Sequence, residues 1–174
     1  FYYDVEDLIS FASAAGGAQV ARNVGQQQGH GFEFETEWKP SDKLRVVANY
    51  AWQNAEDKEL DEDAARAPEQ QAYLRAHWTL AHNWSLTGEF KWIADRNREP
   101  FDPRDAIDDY TIANLNLEKQ RLFEHLDLGL RVRNLFDENA SEPSPYEAVP
   151  SGSLMPDDFP LEERSVHLTA RVRF

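Results

Sequence analysis

Hydrophobic and polar residues alternate along most of this chain. Leu44, Val46, Ala48, Tyr50 and Trp52 alternate with Lys43, Arg45, Asn49 and Gln53, and Ala72, Leu74, Ala76, Trp78 and Leu80 with Tyr73, Arg75, His77 and Thr79. Trp84, Leu86, Gly88, Phe90 and Trp92 then oppose Ser85, Thr87, Glu89 and Lys91, while Leu126, Leu128, Leu130 and Val132 oppose His125, Asp127, Arg131 and Arg133. The last run is the cleanest, with Val166, Leu168, Ala170, Val172 and Phe174 against Ser165, His167, Thr169, Arg171 and Arg173. Successive side chains of a strand point to opposite faces, so each run predicts a strand with one apolar and one wet face. Residues 111–117 follow the pattern less cleanly, and residues 2–9 less again. Residues 18–38 read as one long strand, with a bulge or kink expected near Gly25, Gly29 and Gly31. Eight strands result, at 1–10, 18–38, 43–54, 70–80, 84–95, 108–119, 125–136 and 164–174, with no sustained helical period. The predicted fold is all-β, an antiparallel up-and-down sheet.

The connections sort by length. Tight ones at 39–42, 81–83 and 119–124 alternate with long ones at 56–69, 96–107 and 137–163. Successive hairpins turn at opposite ends of a meander, so the tight turns share one rim and the long loops the other. Transmembrane barrels are built this way, with short periplasmic turns and long outer loops. Charge follows the same axis. Segments 56–69, 95–109 and 137–163 hold 21 acidic residues against five basic ones, whereas the whole chain has 32 acidic and 18 basic, a net charge of -14.

Tryptophan placement speaks to which face meets hydrocarbon. Trp38, Trp52, Trp78, Trp84 and Trp92 all take the apolar parity of their strands and lie at or near strand ends. The eight-residue step from Trp84 to Trp92 is ~27 Å along a strand, or roughly 20 Å of height once tilted, comparable to the ~25 Å apolar band between aromatic girdles. These five with Phe174 are the expected membrane-facing girdle. Arg45, Arg75, Lys91, Arg131, Arg133, His167 and Arg171 take the opposite parity, in numbers no dry core could bury. They are the expected lumen-facing set, with opposite charges on neighbouring strands pairing across the wall.

Composition removes several classes. No apolar run approaches the ~18 residues of a membrane-crossing helix. The absence of cysteine removes disulfides and thiolate metal sites, and the acidic balance argues against nucleic acid as a partner. The chain starts at Phe1 with no signal-like segment, and reads as an excised piece.

Several residue groups, in order, resemble the barrel of TonB-dependent outer-membrane receptors. They are Phe1-Tyr2-Tyr3-Asp4-Val5-Glu6-Asp7-Leu8-Ile9, Arg22-Asn23-Val24-Gly25, Gly31-Phe32-Glu33-Phe34-Glu35, Trp38-Lys39-Pro40, Arg66-Ala67-Pro68, Asp108-Asp109-Tyr110-Thr111 with Asn114-Leu115, and above all Val132-Arg133-Asn134-Leu135-Phe136-Asp137. The final run to Arg173-Phe174 is similar to that family's last strand. The resemblance implies that residues 1–174 are the C-terminal part of a 22-stranded wall around a plugged lumen, in the Gram-negative outer membrane and without the plug. It implies uptake of a scarce solute, foremost a ferric siderophore, with energy from TonB through the missing N-terminal part. It also implies that Phe174 signals to the outer-membrane assembly machinery, and that lipid is a partner. No cofactor and no catalysis are implied.

Candidate chemistry adds little. The clusters Asp61-Glu62-Asp63 and Asp102, Asp105, Asp108, Asp109 match no calcium-loop pattern and read as solvated loops, as do Asp157, Asp158, Glu162 and Glu163. Ser165 and His167 share a strand face but lack an orienting carboxylate in sequence. Arg96 and Arg98, at the start of a long loop, are candidate outer-rim contacts for an anionic ligand, or rim charges paired with Asp95 and Glu99. Two other architectures stay open at this point: a complete eight-stranded barrel serving as anchor or adhesin, and a soluble secreted β-sandwich binding carbohydrate through tryptophan.

Overall fold

The computed structural model describes all residues except 14–18, 59–60, 65–66, 100–101, 147, 150–151, 154 and 174. Phe174, expected in the girdle and as an assembly signal, lies outside the described residues. Eight long strands form: β1 (Tyr2–Ser13), β2 (Gln19–Ser41), β3 (Leu44–Asp57), β4 (Pro68–Thr79), β5 (Trp84–Arg96), β6 (Tyr110–Leu122), β7 (Leu126–Arg133) and β8 (Ser165–Val172). They pair antiparallel in chain order. Two-residue strands decorate the loops: Glu62–Asp63 on β3, Ser141–Glu142 with Phe159–Pro160, and Ala148–Val149 with Gly152–Ser153.

The sheet is open. Among the described residues β1 pairs only with β2 and β8 only with β7, so it does not close as an eight-stranded barrel. Among the described residues the further sheets have two strands of two residues each, too small to be the second layer of a sandwich.

The short connections are as expected. β2 and β3 meet at Asp42 and Lys43, a 3-10 turn at Ala81–Asn83 joins β4 to β5, and residues 123–125 join β6 to β7. His82 and Asn83 both take left-handed backbone (φ 57 and 59), a conformation that Asn and His tolerate better than most residues. The opposite ends connect through residues 58–67, 97–109 and 134–164.

The glycine-rich stretch of β2 follows the expectation at Gly25 and departs from it at Gly29 and Gly31. β2 stays in register with β3 from Gln27 to Trp38, without interruption at Gly29 or Gly31. At Gly25 the expected bulge is present: Leu8 opposes Gly25 and Ile9 opposes Asn23, which leaves Val24 as an extra residue on β2, while β1 carries its own extra residue between Val5 and Leu8, where Asp7 adopts φ 58. The two glycines are needed for space instead of bending: a Cβ at Gly29 would strike the Tyr3 ring, and one at Gly31 the Phe1 ring and the Trp52 carbonyl. Phe1 and Tyr3 stack there (centroids 6.4 Å apart), aromatic cover for glycines that would otherwise leave the strand bare.

Little of the chain is buried. One apolar cluster joins Ile93 of β5, Tyr110 and Ile112 of β6, and Ala140 and Leu161 of the last long loop. That loop therefore folds back over one face of the sheet. The other face is uncovered: Trp38 is 61% exposed, Trp78 50% and Leu168 83%.

Candidate functional site

Directly opposed residues on neighbouring antiparallel strands share a face. Trp38↔Val46↔Ala76↔Gly88↔Leu115↔Val132↔Val166 is therefore one row of the apolar face across seven strands. Trp52, Trp78, Trp84 and Trp92 lie on the same face, Trp52 and Trp92 toward the long-loop rim. The complementary row Glu37↔Val47↔Arg75↔Glu89↔Asn114 begins the polar face. Arg45, Lys91, Arg131, Arg133, His167 and Arg171 all fall on it.

The polar wall is cross-linked between strands. Arg45 donates to Glu37 at 2.8 Å, Arg75 lies 3.6 Å from Glu89, and Arg173 bonds Asp127 at 2.5 Å. Arg133 reaches Glu162 at 2.9 Å, and Lys91 donates to the Tyr110 hydroxyl at 3.1 Å. Two open cavities of about 460 Å³ each lie along this wall, and Arg131 and Arg133 line both. Arg131 and Arg171 form no ion pair within 4.0 Å with a described carboxylate.

At the long-loop rim, arginines lock two loops together. Arg96 ends β5 with its side chain 1% exposed. Its guanidinium stacks over Tyr110 (4.8 Å) and donates to the carbonyls of Ser141 (2.7 Å) and Asp108 and to Glu142 (3.2 Å). Tyr110 in turn donates its hydroxyl to Glu142 at 2.7 Å. Arg98 grips Asp158 through both terminal nitrogens, at 2.8 and 2.6 Å, a bidentate fork that a lysine cannot reproduce. Arg104 bonds Asp102 at 2.6 Å, reaches the hydroxyl and carbonyl of Ser144 at 2.7 and 2.9 Å, and lies 3.5 Å from Asp158. The Asp102 side chain is 1% exposed and that of Asp158 19%.

These contacts revise the expectations for the rim. Asp102 and Asp158 are not solvated: guanidinium hydrogen bonds, from Arg104 and Arg98 respectively, hold both carboxyls below the usual aspartate range. Arg96 and Arg98 are paired, but with Glu142 and Asp158 of the distant loop instead of Asp95 and Glu99. Asp61, Glu62 and Asp63 are exposed as expected, and the described residues offer no cluster of metal-ligating side chains.

Asn134 closes the base of the last loop. It is fully buried, with backbone in the left-handed region (φ 46). Its side chain donates to the carbonyls of Glu138 and Glu162 and accepts from the Glu138 amide, while its own amide bonds Asn114. Asp137 binds Arg164 through that residue's amide and guanidinium, each at 3.0 Å. One side of this loop is thus tied to the other at its root.

Ser165 and His167 do approach, at 3.2 Å, but the nearby carboxylate serves the wrong partner. Glu162 accepts the Ser165 hydroxyl proton at 2.5 Å. Nucleophile activation needs that proton on the imidazole and the carboxylate behind the histidine.

An antiparallel meander with an uncovered aromatic face, a charged opposite face and loops sorted by rim is the architecture of an outer-membrane β-barrel wall. The chain belongs to the TonB-dependent receptors: residues 1–135 match the family described as TonB dependent receptor-like, beta-barrel. Solved structures of similar fold include the pyoverdine outer membrane receptor FpvA from Pseudomonas aeruginosa PAO1 (15% identity, TM-score 0.75, covering 99% of this chain and 26% of that one). The ferric-catecholate import receptor Fiu from K12 E. coli is 21% identical with TM-score 0.72, over 98% of this chain and 24% of that one. The copper transporter OprC is 18% identical with TM-score 0.72, over 99% and 28%. The chain thus spans about a quarter of the length of these receptors. No curated protein matches the sequence. Family and structural neighbours alike are transport receptors of the Gram-negative outer membrane.

Proposed function

We propose that residues 1–174 are the C-terminal part of the wall of a TonB-dependent importer whose solute is a ferric siderophore. The observation that carries the wall assignment is the division of the sheet: tryptophan and aliphatic side chains stand on one uncovered face, and arginine–carboxylate pairs on the other. Hydrocarbon accepts the first face and a water-filled, plugged lumen the second. In this reading Trp38, Trp52, Trp78, Trp84 and Trp92 meet lipid, and Phe174 completes the girdle and guides assembly. Arg45, Arg75, Lys91, Arg131, Arg133, His167 and Arg171 line the lumen. The clamped loops over Arg96 and Arg98 form part of the outer mouth, and TonB acts on a segment outside these residues. Support for the solute is the naming of pyoverdine and ferric catecholate in two of the similar structures, while copper in the third supplies the rival.

Uptake of radiolabelled ferric siderophores, set against labelled copper, separates the two in cells lacking the gene and in cells complemented with it. Energy-dependent iron accumulation that disappears with the gene is the expected result. Unchanged iron uptake across catecholate, hydroxamate and mixed siderophores would overturn the solute assignment.

A further inference from the structure

On the apolar face, the described outward positions of β2 through β8, from the row of Trp84 up to the level of Trp52 and Trp92, carry one charged side chain. It is Lys119, in the row Trp84↔Lys119↔Leu128↔Ala170 near the short-turn end of β6. Leu86↔Leu117↔Leu130↔Leu168 is the next row inward, so an apolar band begins immediately beside the ammonium. An isolated charge there is costly unless it sits at the depth where hydrocarbon gives way to headgroups.

The ammonium is held in place. Its Nζ donates to the His82 carbonyl in the neighbouring turn and lies 5.7 Å from the centre of the Trp84 ring. It forms no ion pair within 4.0 Å with a described carboxylate. An ammonium has three protons, and the His82 carbonyl engages one. The short-turn rim is also the basic one: Lys39, Lys43, Lys119 and Arg121 outnumber Asp42 and Glu124, whereas the opposite rim is strongly acidic.

We infer that Lys119, held between the His82 carbonyl and Trp84, is a binding site for the phosphate of an anionic phospholipid in the periplasmic leaflet. The occupant follows from charge and depth: a phosphodiester is the anion found at the edge of hydrocarbon, and a net negative headgroup meets a rim of net positive charge. The inference rests on the wall assignment above, and adds a specific lipid contact to it.

The test uses the protein with every tryptophan except Trp84 replaced by Phe, reconstituted in phosphatidylcholine vesicles containing phosphatidylglycerol. Acyl chains brominated on one lipid or the other quench a tryptophan they touch. Brominated phosphatidylglycerol is expected to win over brominated phosphatidylcholine by about fivefold, the effect of roughly one basic residue at a charged surface. Lys119→Gln should bring the ratio to one and Lys119→Arg should keep it. Equal quenching by both lipids with Lys119 present, or a preference that survives in Lys119→Gln, would overturn the headgroup site while leaving the wall intact. Quenching by neither lipid would overturn the wall assignment and this site with it.

Discussion

Two sets of arginines in this molecule face opposite circumstances. At the outer loops, Arg96, Arg98 and Arg104 are largely buried and bonded to Glu142, Asp158 and Asp102. On the wall, Arg131 and Arg171 are exposed on the polar face of β7 and β8 and contact no described carboxylate within 4.0 Å, although Arg171 faces Asp127 across the strand pair. The difference lies in cover and not in residue type. Ser141, Glu142, Ser144 and Asp158 of the last loop close over the first set and leave its guanidinium groups little access to water, so each charge there needs an opposite charge. The second set borders an open cavity and is solvated. A guanidinium is structural where its solvent has been removed, and a surface feature of the lumen where it has not.

The sharpest way to break this contrast is to remove one partner of the buried set. Arg104→Ala leaves the nearly inaccessible Asp102 carboxylate without its main donor. Stranding a buried charge costs about 3–5 kcal/mol. Because the loss is local, it should appear as lost hydrogen-exchange protection across residues 134–164, with the sheet's protection retained. Undiminished protection in that loop would mean that the clamp is not holding it.

A charge placed on the apolar face should cost nearly as much. Val132→Arg and Val166→Arg lie in the row of Gly88, midway between Trp84 and Trp92 on that face, and each is expected to lose ~2–4 kcal/mol near the membrane midplane. Unfolding midpoints in vesicles, by urea titration, would show it. Thr169→Leu, on the wet face of the same strand β8, should lose far less. Equal losses would reverse the orientation of the sheet.

The strands and their facing were legible because a two-residue period reports facing directly. A charge alternating with Leu or Trp over nine residues leaves little freedom, and every main strand lies within a few residues of its expected span. The clamp was not legible for an equally physical reason. Arg98 and Asp158 are sixty positions apart, in segments rich in Asp, Glu and Pro, and that composition looks the same whether the loops are solvated or packed. Asn134 is intermediate. It belongs to the run of residues 132–137 that marks the family resemblance, yet only the fold shows it tying together the two ends of a long loop. Among the glycines of β2, Gly25 marks a bulge as its type suggests, whereas Gly29 and Gly31 make room for the Tyr3 and Phe1 rings, a need that only the paired strand reveals.

Acid should loosen the clamp next. The Asp102 and Asp158 carboxyls titrate below their ordinary range because guanidinium groups bond the charged form. A lowered carboxyl contributes stability above its unfolded value, about 4, and loses it as pH falls through the folded value. Loop protection should therefore be flat from pH 7 to about 5 and fall only below about 4. A decline centred near pH 6 would point to a histidine and away from this pair of aspartates.

The smallest effect is expected from the exposed arginine, and it tests the other half of the contrast. Arg131 lines both wall cavities and pairs with no described carboxylate. Its replacement removes no buried contact and strands no opposite charge, so Arg131→Gln should change sheet stability by less than about 0.5 kcal/mol. The same unfolding titration used for Val166→Arg would measure it. A loss of several kcal/mol would show that the guanidinium is covered in the folded receptor by an acidic neighbour from outside these residues. The division between loop and wall arginines would then depend on what fills the lumen and not on the sheet alone.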